Sequence, residues 1–272
     1  MVTGFAVPRL TRAARPLVLA VMALGLTLGA SVPLSPNNSA DAAGDRFDVN
    51  NWTDPNGKQH RIRWNPCQPS VTFAVNPRLA GKTTAARNAA VADVREAFRR
   101  VSNRSGIDFR YAGRTTEIPR NTSGGSWSDR QRAAEIVVSW VDQSRAKTRT
   151  DLMSNSGSGY GSGVGGWMMR AWTDSAGKWH AAIGRGFVVL NSGHNSIYKD
   201  GYGSGTTRGA LLLHEIGHAT GLGHVGTTRE LMYPTMINRE YTMYKDGDRA
   251  GLKKVGRPLG CISGANDAWP QI

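Results

Sequence analysis

Apolar residues recur along this chain with two periods. Val71, Phe73 and Val75 alternate with polar or small neighbours, which predicts a half-buried strand. From about Thr84 to Val101, the residues Ala90, Val91, Val94, Ala97, Phe98 and Val101 recur at helical spacing. Charged residues fill the opposite face, so this stretch predicts an amphipathic helix lying on a sheet. Ile107-Asp-Phe-Arg-Tyr111 alternates again as a second strand, and the unbroken run Ile136–Val141 has the length of a central buried one. Trp167–Trp172 and Ile183–Leu190 read as two strands about the hairpin-type turn Asp174-Ser-Ala-Gly177. Polar residues 45–60 read as an irregular lead-in. Ser154–Gly166, rich in glycine and serine, reads as a long flexible surface loop that could flank a cleft. No strand leads into it and no Lys-Ser/Thr ends it, which argues against a phosphate cradle.

The pattern changes at Leu211-Leu-Leu-His-Glu-Ile-Gly-His-Ala-Thr-Gly-Leu-Gly-His224. Ala210, Leu211, Leu212 and Leu213 bury the first turns of a helix that Thr206 or Thr207 can cap. His214 and His218 are four residues apart, so their rings lie on one helical face, one turn apart. Two imidazoles at that spacing can bind one metal ion, and imidazole nitrogen is a natural zinc ligand. Glu215 stands beside the metal's open position, where a carboxylate can take a proton from water. His224 cannot share the helix, because a continued helix would carry it about 9 Å along the axis and round to another face. Gly221 lets the chain turn back, since glycine takes positive φ without steric cost.

His214, Glu215, His218, Gly221 and His224 together spell H-E-x-x-H-x-x-G-x-x-H, followed eight residues later by Met232 in Glu230-Leu-Met-Tyr-Pro-Thr-Met236. This resembles the metzincin zinc proteases, and most closely their matrixin branch. The resemblance implies an α+β zincin fold: a twisted mixed sheet with an antiparallel edge strand, and two main helices at about 84–102 and 207–220. An upper lobe of about 45–223 would be followed by a small lower lobe of about 224–272. It implies that Met232 floors the zinc site without ligating it. Pro234, Thr235 and Met236 would wall the pocket for the residue after the scissile bond. Tyr233 directly follows the methionine, whereas branches that use a tyrosine ligand place it two residues after, so no ligand role carries over to it. A strand at 165–171, including Met169, would form the edge above the zinc, to which an extended peptide can add as one more strand. Gly247–Leu252 resembles the short closing helix, with Leu252 and Val255 inward and Asp248 structural. Matrixins often hold a second, structural zinc on clustered histidines. His60, His180 and His194 form no such cluster in the sequence and read as surface residues, so one catalytic zinc is expected.

The N-terminal pattern adds an address. Arg9, Arg12 and Arg15 precede the apolar run Leu17–Ala30, and Ala40-Asp-Ala42 offers a cleavage site, so residues 1–44 read as an export signal with a short pro-segment. The run is short for a membrane span. The net charge is +14; setting residues 1–44 aside removes three arginines and one aspartate and leaves +12. Such a surface suits anionic cell-wall or surface polymers. Arg95, Arg99, Arg100 and Arg104 are scattered without a nucleic-acid-binding motif, so no specific nucleic-acid partner is expected. In an exported protein the two cysteines, Cys67 and Cys261, are expected to pair. The alternative, from the matrixin resemblance, is that Cys67 caps the zinc in a zymogen, although Asn65-Pro-Cys-Gln-Pro69 departs from that family's propeptide motif.

These readings converge on a secreted, monomeric zinc endopeptidase acting on proteins or peptides, with Glu215 as general base. Two other readings stay open: a cationic surface-binding protein in which zinc only holds the fold, and a zinc amidase acting on cell-wall peptides. The first has no use for Glu215.

Overall fold

The computed structural model describes residues 47–122, 125–155, 159–240 and 242–264. The export signal expected at 1–44 lies outside the described residues. The first elements are two short strands, β1 (Asn51–Thr53) and β2 (Gln59–Arg61), paired antiparallel. This corrects the expectation of an irregular lead-in. Asp54 makes the turn by accepting the Asn56 and Lys58 amides at 2.9 Å, while Gly57 takes φ 81° and His60 Nε2 lies 2.8 Å from the second carboxylate oxygen. The signal was in the sequence, because the turn is made twice. Trp52-Thr-Asp-Pro-Asn-Gly-Lys-Gln-His60 and Trp172-Thr-Asp-Ser-Ala-Gly-Lys-Trp-His180 share W-T-D-x-x-G-K-x-H. Asp174 repeats the same bonds with Ala176, Lys178 and His180, about Gly177 at φ 74°. His60 and His180 are thus turn-locking residues, not bare surface.

The main sheet is built from β3 (Val71–Asn76), β4 (Phe109–Arg114), β5 (Ile136–Val141), β6 (Gly163–Thr173) and β7 (Trp179–Asn191), in the order β4-β3-β5-β7-β6. The β3–β4, β3–β5 and β5–β7 pairs are parallel and β6–β7 is antiparallel, so the mixed sheet ends on an antiparallel edge strand, as expected. The expected second strand is shifted. It starts at Phe109, because Ile107 is taken up in the turn after the first helix, with its amide on Ser105 Oγ.

That helix, α1 (Thr84–Ser105), is capped by the Thr83 hydroxyl and ended by Gly106 at φ 71°. A short α2 (Trp127–Arg130), not evident in the periodicity, precedes β5. The active-site-like motif lies on α3 (Arg208–Thr220), and α4 (Asp246–Val255) closes the chain with Leu252 and Val255 fully buried. One core lies between the sheet and α1 and α3, where Ile136, Val138, Trp140, Val188 and Leu190 meet Val94, Phe98, Leu212 and Ile216. On the other face Val141, Phe187 and Val189 pack with Trp127 and Met153. Both faces of β5 and β7 are therefore covered, which explains their unbroken apolar runs. Cys67 and Cys261 form a disulfide with Cα atoms 5.3 Å apart, so Cys67 does not cap a metal in this structure.

The glycine-rich stretch is not all loop. Residues 163–166 are the start of β6, and their glycines are required by close approach. A Cβ on Gly165 would lie 1.9 Å from the Glu215 carbonyl oxygen, and one on Gly166 would lie 2.7 Å from the Phe187 ring. The composition of a flexible linker here reflects a strand pressed onto α3.

Candidate metal centre

Thr207 caps α3, its hydroxyl accepting the Ala210 amide at 3.1 Å. The helix carries His214 and His218 on one face, one turn apart. It ends at Gly221, whose φ of 113° turns the chain back and whose amide bonds the Gly217 and His218 carbonyls. The turn is braced by the lead-in. Asn50 donates to the Gly221 carbonyl, Gly223 donates to that of Asp48, and the Trp64 indole donates to that of Ala219 at 2.9 Å. His224 is thereby returned to the helical pair. The three Nε2 atoms stand 3.2 Å (His214–His218), 3.2 Å (His214–His224) and 3.0 Å (His218–His224) apart.

Protonation decides what this arrangement is for. His214 Nδ1 lies 2.9 Å from the Leu231 carbonyl oxygen, and His218 Nδ1 lies 2.9 Å from that of Leu222. A carbonyl only accepts, so both Nδ1 atoms carry hydrogen, and in neutral rings both Nε2 atoms present lone pairs. Burial holds the rings neutral, pushing His214 down to about 4, His218 well below its usual range, and His224 down as well. Lone pairs at this separation repel unless a cation lies among them. Nitrogens bound to one tetrahedral zinc at 2.0–2.1 Å sit about 3.3 Å apart, close to what the triad shows. The donor set fits zinc. Among the described residues it is the one His/Cys/Asp/Glu group whose ligand atoms converge in this way.

Glu215, next to the first of these histidines, is 5% exposed. Burial pushes its carboxyl up to about 8, against the pull of the Gly165 amide hydrogen-bonded to it. Gly163 approaches as closely: a Cβ there would lie 2.7 Å from Glu215 Oε1. The carboxylate is thus held against the main chain of the edge strand.

Met232 is buried, with its sulfur 2.6 Å from where a Cβ on Gly217 would sit, directly against α3 below the histidines. The turn before it is fixed by Asp248, whose carboxylate accepts the amides of Leu231 at 2.6 Å, Met232 at 3.1 Å and Lys245 at 3.1 Å. Glu230 in turn accepts the Asp248 amide at 2.9 Å. Burial pushes the Asp248 carboxyl up to about 6, against the pull of the three amides and with a further push from Glu230. Asp248 was expected to be structural; the Glu230 link was not foreseen, and no sequence spacing signals it. Pro234 and Thr235 are exposed and Met236 is half-buried against the core. Met169 follows a register irregularity in β6 and its side chain is buried in the main core, so the edge-strand role expected of it would fall to its main chain.

The family model for Matrixin matches residues 128–255, from α2 to the end of α4. That span holds the edge strand, all three histidines, Met232 and Asp248. No curated protein matches the chain. That segment supplies β5, β6 and β7 of the main sheet and brings its three histidines to one point, which marks it as matrixin-like and supports a zinc-dependent metalloprotease of the metzincin class.

Proposed function

We propose that the protein is a secreted zinc endopeptidase whose catalytic domain spans 45–272, with His214, His218 and His224 holding a single zinc and Glu215 acting as general base. The observation that carries this reading is the convergence of three Nε2 lone pairs, with tautomers set from behind, beside a buried carboxylate. Zinc held there supplies a Lewis acid that acidifies water and polarises a carbonyl. A cation at that point also favours the ionised form of Glu215, opposing the effect of burial. Glu215 then takes a proton from the attacking water and returns it to the leaving amine as the peptide C–N bond breaks. The outer edge of β6 offers main-chain groups to an extended substrate, and Pro234–Met236 wall the pocket beyond the scissile bond.

A protein using zinc only as a staple would gain nothing from burying a carboxylate beside it. The net charge of +12 left after residues 1–44 supports association with anionic surface polymers near the site of secretion; the protein would act as a monomer. Incubating purified protein with a peptide library and with cell-wall material, with and without chelator, tests the reading. Internal cleavage of peptides, lost on chelation and in Glu215→Ala and restored by zinc in the parent alone, is expected. Release of wall fragments without peptide cleavage would make it an amidase instead.

A further inference from the structure

On the β6 side Glu215 meets the main chain at Gly163 and Gly165, which carry no side chain to hold it. Its placement there depends on where the first residues of β6 lie. β7 fixes their register, and Gly161 and Ser162, which lead into β6, carry no apolar side chain. The anchor is Ser162. Its carbonyl accepts the Asn191 amide at 2.9 Å, its hydroxyl lies 3.0 Å from His194 Nδ1, and the Tyr198 hydroxyl bonds to it. Tyr198 is itself fixed. It is half-buried against the core, in a small cleft with Leu190 and Leu211, and Leu211 precedes Glu215 by one turn of α3. Leu190 also lies 3.0 Å from where a Cβ on Gly163 would sit. The segment after β7 therefore grips the entry of β6 at the point where that strand bears on the carboxylate.

We propose that Ser162, His194 and Tyr198 form a polar clamp that sets the edge strand on Glu215, making Ser162 and Tyr198 positioning residues for the reaction. The inference rests on Glu215 being the general base. His194, expected to be a plain surface histidine, is part of the clamp.

The test uses the full protein and the variants Ser162→Ala, Tyr198→Phe and Ser162→Thr. Misplacing a general base lowers the chemical step more than substrate binding. Ser162→Ala and Tyr198→Phe should therefore lose about tenfold in kcat with KM within about twofold. Zinc content and Tm should stay at the parent values, and Ser162→Thr, which keeps the hydroxyl, should recover most of the rate. In metal-free protein, amide exchange at Gly163 and Gly165 should quicken in Ser162→Ala and not in Ser162→Thr. Parental kcat in both disabling variants, a loss of rate that tracks a fall in Tm, or unchanged exchange at these glycines would overturn the clamp. If the parent hydrolysed no peptide, the protease reading would fall, and the exchange comparison alone would decide whether the clamp exists.

Discussion

The Nδ1 atom of His214 sits 2.9 Å from the carbonyl oxygen of Leu231, the residue immediately before Met232. The turn at Met232 therefore does more than floor the site, because it selects the ring tautomer that leaves Nε2 free to ligate. Partners behind a ligand orient it and raise its basicity. That turn is in turn held by one carboxylate from the closing helix, so the geometry of the metal site is linked to α4 through Asp248.

Asp248→Ala removes the acceptor for the amides of Leu231, Met232 and Lys245 at once. Buried donors left without partners cost about 1–3 kcal/mol each, so we expect a loss of several kcal/mol in denaturant unfolding. Zinc affinity should weaken by about 10- to 100-fold, the usual effect of losing a partner behind a ligand. Asp248→Asn, which keeps one acceptor oxygen, should fall between. A variant with parental zinc affinity in a competition titration would show that the turn does not depend on this carboxylate.

Gly165→Ala places a methyl where the Glu215 carbonyl oxygen would be 1.9 Å away, and neither group is a flexible side-chain end. Strand and helix must separate, at a cost near the upper end of overpacking, about 3 kcal/mol. Glu215 would lose its amide partner in the same step. We expect a clear fall in Tm with near-complete loss of hydrolysis. Gly226→Ala, with open space around it, should change neither. Parental activity in Gly165→Ala would show that the strand does not bear on the helix as described.

The triad was legible because it is a local pattern. Residues 214, 218, 221 and 224 fix a helical turn and a reversal almost by themselves. The mixed sheet and its antiparallel edge followed from the resemblance, whereas the strand order was not legible, because periodicity does not tell strand neighbours apart. The glycines at 163, 165 and 166 misled, because a linker and a strand pressed onto a helix require the same absence of Cβ; only the facing residue distinguishes them. The Asp248–Glu230 pair, the Ser162 clamp and the strap at Asp48–Asn50 join residues far apart in the chain. No spacing in one sequence announces such contacts. The twin W-T-D-x-x-G-K-x-H turns were open to view and would have replaced the irregular lead-in with a hairpin.

Zinc competes with protons for neutral imidazole, so the pH at which the metal is released reports the ring pKa values. Burial lowers all three, His214 to about 4. With an unperturbed histidine near 6.5, affinity would begin to fall just below neutral pH. With depressed values the fall should begin at lower pH than this, and the share of it due to His214 should appear only as pH approaches 4. Zinc Kd measured against a chelator of known proton affinity gives the curve directly. A decline that starts near pH 6.5 would mean the rings are more solvated than their burial implies.

The disulfide lies between the start of the sheet and the chain segment after α4, with the Asn65 carboxamide accepting the amides of both Cys67 and Ile262. It closes a loop of 194 residues, and on the chain-entropy model removing it costs about 4–5 kcal/mol, an upper bound because the two amide bonds persist. Cys261→Ser should therefore unfold at lower denaturant yet retain near-parental kcat below its transition, since neither sulfur reaches the histidines. A zinc-capping role for Cys67 makes the opposite forecast: freeing that thiol would suppress activity, and thiol-blocking reagents would restore it. Measuring both stability and turnover in Cys261→Ser and in Cys67→Ser separates the two. Equal stability losses with equal, near-parental activity in the two variants support a purely structural bridge, whereas inhibition confined to Cys261→Ser would reveal a latent switch.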